Sequence, residues 1–103
     1  MKSLNFYING QKLEKANQRD FEGLQRGSKG YLLCVFRCQN ELRNCLKIAT
    51  FKVFNKRINV PIVNSRCLVP DDICDWSEFE VCVNCKKDSQ IITTNYIKIK
   101  QEG

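Results

Sequence analysis

Histidine is absent from this 103-residue chain. That removes the commonest general base, the usual partner of a nucleophilic cysteine, and one of the two side chains from which ordinary zinc sites are built. Proline occurs twice and tryptophan once, so neither a proline-rich linker nor an aromatic-rich groove is written into the composition. No apolar run approaches the roughly 18 residues a membrane-spanning helix needs; the longest is Tyr31 to Phe36. The N-terminus, MKSLNFYINGQ, has one lysine but no apolar stretch of the kind a secretory leader carries. A soluble protein made in a reducing cytoplasm is therefore the expectation. Long charge runs are missing as well. The net charge of +6 favours loose association with polyanions, but the basic groups (Lys52, Lys56 and Arg57; Lys86 and Lys87; Lys98 and Lys100) are interrupted by apolar or acidic residues. No aromatic platform accompanies them in the sequence, which disfavours nucleic acid as a partner.

The chain is instead rich in short alternating segments: SKGYLLCVFRC, LKIATFKVF, RINVPIV, RCLVPDD, FEVCV and IITTNYIKIKQ. Each has strand length, β-branched and aromatic content, and flanking turn residues. Leu32, Cys34, Phe36 and Cys38 share one face. Leu46, Ile48, Thr50, Lys52 and Phe54 lie opposite Lys47, Ala49, Phe51 and Val53, and Phe79, Val81 and Val83 alternate with Glu80, Cys82 and Asn84. Pro61 cannot donate to a ladder, which places its strand at a sheet edge. Lys98 and Lys100 alternate with Ile97 and Ile99 as a wet strand face. Residues 1–30 read as one strand ending at the Asn9-Gly10 turn followed by a glycine-broken loop. Val69-Pro70-Asp71-Asp72 reads as a corner, ICDWSEF as a loop or single helical turn, residues 86–90 as a polar hairpin connection, and 91–101 as one last strand. The pattern predicts a single domain over 1–103, with core strands in 31–101. The fold expected is all-β: an immunoglobulin-like antiparallel β-sandwich of about seven strands.

Seven cysteines, at positions 34, 38, 45, 67, 74, 82 and 85, require an account. Their odd number and the lack of a leader weigh against a disulfide framework. Without histidine a zinc site needs four thiolates or a carboxylate, and the one tight C-x-x-C pair is Cys82 with Cys85. Neither Cys34 with Cys38 nor Cys67 with Cys74 has the spacing of a second knuckle pair, so free thiols acting as small core residues are the expectation. Asp71, Asp72, Asp75, Glu78 and Glu80 surround Trp76. They read as solvated turn residues, with Asp71 or Asp72 capping a helical turn and Trp76 as a partial core plug or, secondarily, a partner anchor. RGSKG at 26–30 lacks the spacing of a phosphate loop. The sequence assigns no catalytic, cofactor-binding or metal-ligating residues, and no cofactor.

The succession SKGYLLCVFRC, ELRNCLKIATF, CLVPDD and FEVCVNCKKDSQIITTNYIKIKQEG resembles the small immunoglobulin-like sandwich module of virion proteins from phages of Firmicutes. Ser28, Tyr31, Lys47, Ala49, Phe51, Cys67, Val69, Pro70, Phe79, Val81, Val83, Thr94 and Asn95 stand at the matching places, and residues 1–27 match least. Leu42 stands where that family tends to have Trp, and Cys85 where it tends to have Gly. The resemblance implies a non-enzymatic structural or adaptor protein of a phage virion (tail, baseplate or head fibre). Such a protein is made in the bacterial cytoplasm and binds other virion subunits as a homo-oligomer, with no membrane partner. Two alternatives stand beside it. One is a small zinc module using some of Cys34, Cys38, Cys82 and Cys85 to bind nucleic acid or a regulatory partner. The other is a phage-encoded inhibitor of a host protein that presents the Asp71 to Glu80 corner as a mimic surface.

Overall fold

A computed structural model describes residues 1–39 and 42–103; Glu41, which opens the ELRNC segment, lies outside the described residues. Two sheets face one another. The first has the order β2-β1-β3-β6, built from β1 (Lys2–Asn9), β2 (Lys12–Lys15), β3 (Leu32–Cys38) and β6 (Arg66–Leu68). The second runs β5-β4-β7-β8, from β4 (Leu46–Val53), β5 (Lys56–Pro61), β7 (Glu78–Lys87) and β8 (Gln90–Thr93), with β9 (Ile97–Lys100) also paired to β7. With β3 and β6 on one sheet and β5, β4, β7 and β8 on the other, the order is that of the B and E strands against C′, C, F and G in an immunoglobulin-type sandwich.

Alternation puts the core where the sequence places it. Leu4, Phe6 and Ile8 of β1 and Leu32, Cys34 and Phe36 of β3 meet Ala49, Phe51 and Val53 of β4 and Phe79, Val81, Val83 and Cys85 of β7, all buried. Phe6 and Phe36 are register partners in adjacent strands and stack with ring centroids 5.1 Å apart. Leu42 and Cys85, the two departures from the virion-module pattern, both enter this core.

Pro61 lies on the edge strand β5, as expected. The Ile62 N–H donates to the Lys47 carbonyl. By the alternation of an antiparallel ladder, Val60 and Ile58 therefore bond inward to β4, while Arg57, Asn59 and Pro61 turn their backbone groups outward. The proline occupies a position whose N–H would have faced solvent.

The two-sheet, antiparallel-dominated β-sandwich is as the sequence predicts, and four of its details differ. The described residues contain nine strands rather than about seven. β1 and β3 run parallel, not antiparallel, which the long excursion between them permits. Within that excursion, part of the segment expected to be loop forms β2, closed onto β1 through the two-residue turn Gly10-Gln11; Gly10 takes φ +63°, which favours glycine at the first turn position. β2 escaped detection because it carries one apolar residue, Leu13, which is buried.

The final strand is also broken. Asn84 pairs with Thr93 and Val81 with Ile97, so Cys82 and Val83 face Thr94, Asn95 and Tyr96, one residue in excess: a β-bulge. Thr94 Oγ1 accepts the Val83 N–H at 2.9 Å. The bulge directs the Asn95 side chain at β2, where it accepts from the Leu13 N–H at 2.8 Å and donates to the Leu13 carbonyl at 3.2 Å. Asn95 thus acts as a one-residue ladder joining the two sheets.

Candidate protein-interaction surface

The turn between β4 and β5, the β6–β7 connection, the loop before β3 and the N-terminus all lie at one end of the sandwich, because β4 and β7 are antiparallel while β1 and β3 both start there. The β6–β7 connection holds α1 (Asp71–Cys74), a single helical turn. Its N-cap is Pro70, with no side-chain cap bond, so neither Asp71 nor Asp72 caps it. Asp72 instead receives Lys56 Nζ at 3.0 Å, tying the β4–β5 turn to α1. Lys29 Nζ donates to the Asp71 carbonyl at 2.7 Å and to the Asp75 carboxylate, tying the loop before β3 to the same turn. The Lys56 hydrogen bond holds the Asp72 carboxyl below its usual range, and the Asp75 hydrogen bond raises the Lys29 ammonium above its own. Beneath them Gln101 is buried and donates to the carbonyls of Cys74 and Trp76.

On this braced end stand exposed apolar side chains. Phe54 is 88% exposed at the β4–β5 turn and Trp76 is 42% exposed after α1, joined by Tyr31 and Met1. Trp76 does not join the core cluster, contrary to its reading as a partial core plug. Phe54 was legible in part. It shares strand parity with Thr50 and Lys52 and precedes the turn residue Asn55; in the structure Phe54 and Asn55 are themselves the two-residue turn between Val53 and Lys56. Next to it, on the outer face of the second sheet, Lys52 lies 5.5 Å from the centre of the Tyr96 ring, and Arg57 is the register partner of Lys52.

The acidic corner is mostly neutralised. Asp72 and Asp75 are ion-paired, and Glu78 lies 3.7 Å from Lys98.

The cysteines fall in two neighbourhoods, Cys34, Cys67 and Cys74 in one and Cys38, Cys45 and Cys85 in the other, with Cys82 apart. Cys34 and Cys67 are cross-strand partners in the first sheet, both buried; their mutual hydrogen bond, with burial, raises the Cys34 thiol well above its usual range. Cys82 and Cys85 share β7, where positions three apart point to opposite faces and lie about 10 Å apart along the strand. Cys82 meets Thr50 and Tyr96 on the outer side, and Cys85 lies in the core near Cys45 and Cys38. Burial raises the thiols of Cys74, Cys82 and Cys85 above their usual range. Among the described residues no three cysteines or carboxylates group as a metal site, and no helix is long and apolar enough to cross a membrane. Thr94 and Asn95, matched to the virion-module pattern, serve the bulge and the inter-sheet clip.

Comparison with known protein families, with curated proteins and with solved structures finds no match.

Proposed function

We propose that this chain is a non-enzymatic structural or adaptor protein of a phage particle, binding another virion subunit through the α1 end of its sandwich. The observation that carries the binding role is the exposure of Phe54 and Trp76 on loops tied to the α1 turn by Lys29 and Lys56. Aromatic side chains on a pre-ordered base bind at low entropic cost. The particle assignment rests on the resemblance of residues 28–103 to the virion module and on the immunoglobulin-type strand order. The zinc alternative draws less support, since the C-x-x-C pair is split across β7, and the mimic alternative less again, since its acidic corner is largely ion-paired. The test is mass spectrometry of gradient-purified particles from producing cells. The chain is expected in the particle band at a fixed ratio to the major capsid protein; recovery only from the particle-free lysate overturns the assignment.

A further inference from the structure

The ordered paths of the two sheets end on β2, β6, β5 and β8, and the first three are guarded against further pairing. β5 carries Lys56, Arg57 and Pro61. β2 carries Lys12, Glu14 and Lys15, and Asn95 occupies the outward backbone groups of Leu13. β6 has three residues, and the outward groups of Arg66 are bonded to Val63. Charge, proline, shortness and cover are the means by which native sheets stop at their edges. β8 reads Gln90-Ile91-Ile92-Thr93, without charge or proline, whereas β9, on the same side of β7, carries Lys98 and Lys100. The Thr94 N–H donates to the Val83 carbonyl at 3.0 Å. By ladder alternation Gln90 and Ile92 therefore bond inward to β7, while Ile91 and Thr93 turn their N–H and C=O groups outward. No bond among the described residues takes up those groups. Both residues are exposed, Ile91 at 67%. Past Thr93 the edge closes, since the Asn95 N–H donates to the Gln11 carbonyl at 3.3 Å.

We infer that β8 is a pairing edge whose occupant is β8 of a second copy of this chain, antiparallel about a two-fold axis between the two Ile92 residues. In that register Ile91 of each copy exchanges both backbone hydrogen bonds with Thr93 of the other, and two five-stranded sheets become one. The strand suits itself in side chains as well. On the outer face each Ile91 meets a Thr93, and on the inner face Ile92, already packed against the core, meets Ile92, so every cross-strand pair is β-branched. Charge is compatible with the joint. Lys86 is the register partner of Ile91 and Asn84 that of Thr93, so Lys86 lines up with Asn84 of the second copy and not with its own counterpart. Lys87 and Asp88, at the turn before β8, fall at opposite ends of the joint in the two copies. A two-fold contact consumes both edges and closes, and Pro61 with its neighbouring cations bars the far edge, so the product is a dimer and not a fibre. A strand this short offers less area than a standard interface; the dimer is weak in free solution and gains where copies are held side by side. The joint is separate from the α1-end contact and needs neither a particle nor another subunit.

The test is sedimentation velocity of the purified full chain from about 10 μM to about 1 mM, the range in which a weak joint fills, with amide hydrogen exchange of the same samples read residue by residue by NMR. The weight-average mass is expected to rise from one chain towards two and no further. The Ile91 and Thr93 amides, open to solvent in the single chain, are expected to exchange at least about threefold more slowly at the top concentration, while those of Gln90 and Ile92, already bonded to β7, change less. I91K places a charge at the joint, and I91P removes an outward N–H as Pro61 does on β5; each is expected to weaken association about tenfold or more with the fold retained. If I91P does not fold, I91K carries the test alone. F54S, at the α1 end, is expected to leave association unchanged, so failure of the joint is distinguishable from failure of the α1-end contact. A single chain at every concentration, association without slowed exchange at Ile91 and Thr93, association that survives I91K or is lost in F54S, or growth beyond two chains overturns the inference.

Discussion

Asn95 shows how much one side chain can hold. Its amide replaces a whole strand residue in bonding both backbone groups of Leu13, so Asn95→Ala removes two hydrogen bonds between the sheets. At about 1 kcal/mol for each bond, the variant is expected to lose about 2 kcal/mol in urea unfolding without a change in m. Asp20 does related work at the end of the β1–β2 ladder. The Ala16 N–H reaches the Asn5 carbonyl, but the reciprocal Asn5 N–H goes to the Asp20 carboxylate at 3.0 Å, joined by the Asn5 amide at 2.8 Å. The Asn5 side-chain bond is the main reason the Asp20 carboxyl is held below its usual range. A depressed carboxyl contributes stability that is present above its unfolded pKa of roughly 3.9 and is lost as pH falls through the lower folded value. The stability gap between the wild type and Asp20→Ala is therefore expected to be level above about pH 5 and to close in acid below about pH 4; a gap that widens in acid contradicts this role. Neither residue's task was legible in the sequence, because each depends on a partner brought close only by the fold: Leu13 lies on a strand hidden by its polar neighbours, and Asn5 on a strand whose parallel pairing alternation cannot reveal.

At the scale of elements the sequence was more informative, because a strand buried on one face writes its register in every second residue. The faces of β3, β4 and β7 follow Leu32-Cys34-Phe36, Ala49-Phe51-Val53 and Phe79-Val81-Val83 as read from alternation. What alternation does not encode is strand direction, so the parallel pairing of β1 with β3 could not be read from it. It also passes over bulges, since one extra residue at Thr94 to Tyr96 preserves apolar parity on both sides only by breaking the strand in two. The edge assignment of β5 makes a paired test possible. Pro61→Ala restores an N–H that faces solvent and is expected to change stability by less than about 0.5 kcal/mol. Val60→Pro removes an N–H that bonds to β4 and is expected to cost about 3 kcal/mol or more. Thermal unfolding of the two variants with the reverse ranking contradicts the edge geometry.

On the scale of the whole molecule, the chain measures 42 × 28 × 20 Å and is chemically polar along its length. The exposed side chains of Tyr31, Phe54 and Trp76 lie at the α1 end, and Arg43, Lys47, Lys86 and Lys87 with Leu46, Val63 and Ile91 at the other. Sequence order scatters the components of both ends: Tyr31, Phe54 and Trp76 come from three connections, as do Arg43, Asn64 and Lys87. Neither surface was visible before the sandwich closed. The two sheets are held between the ends by the stacked Phe6 and Phe36, the Asn95 clip and the bulge. The most direct measurement is the ratio of Phe54→Ser to wild-type chain in particles from cells making equal amounts of both, read from isotopically labelled peptides. The substitution lies on an 88% exposed side chain, so both forms are expected to fold equally well by thermal unfolding, and the account predicts a ratio in particles at least about tenfold below that in the lysate, as loss of an interface anchor implies. A particle ratio equal to the lysate ratio, with both forms incorporated, contradicts the claim that the α1 end makes the contact.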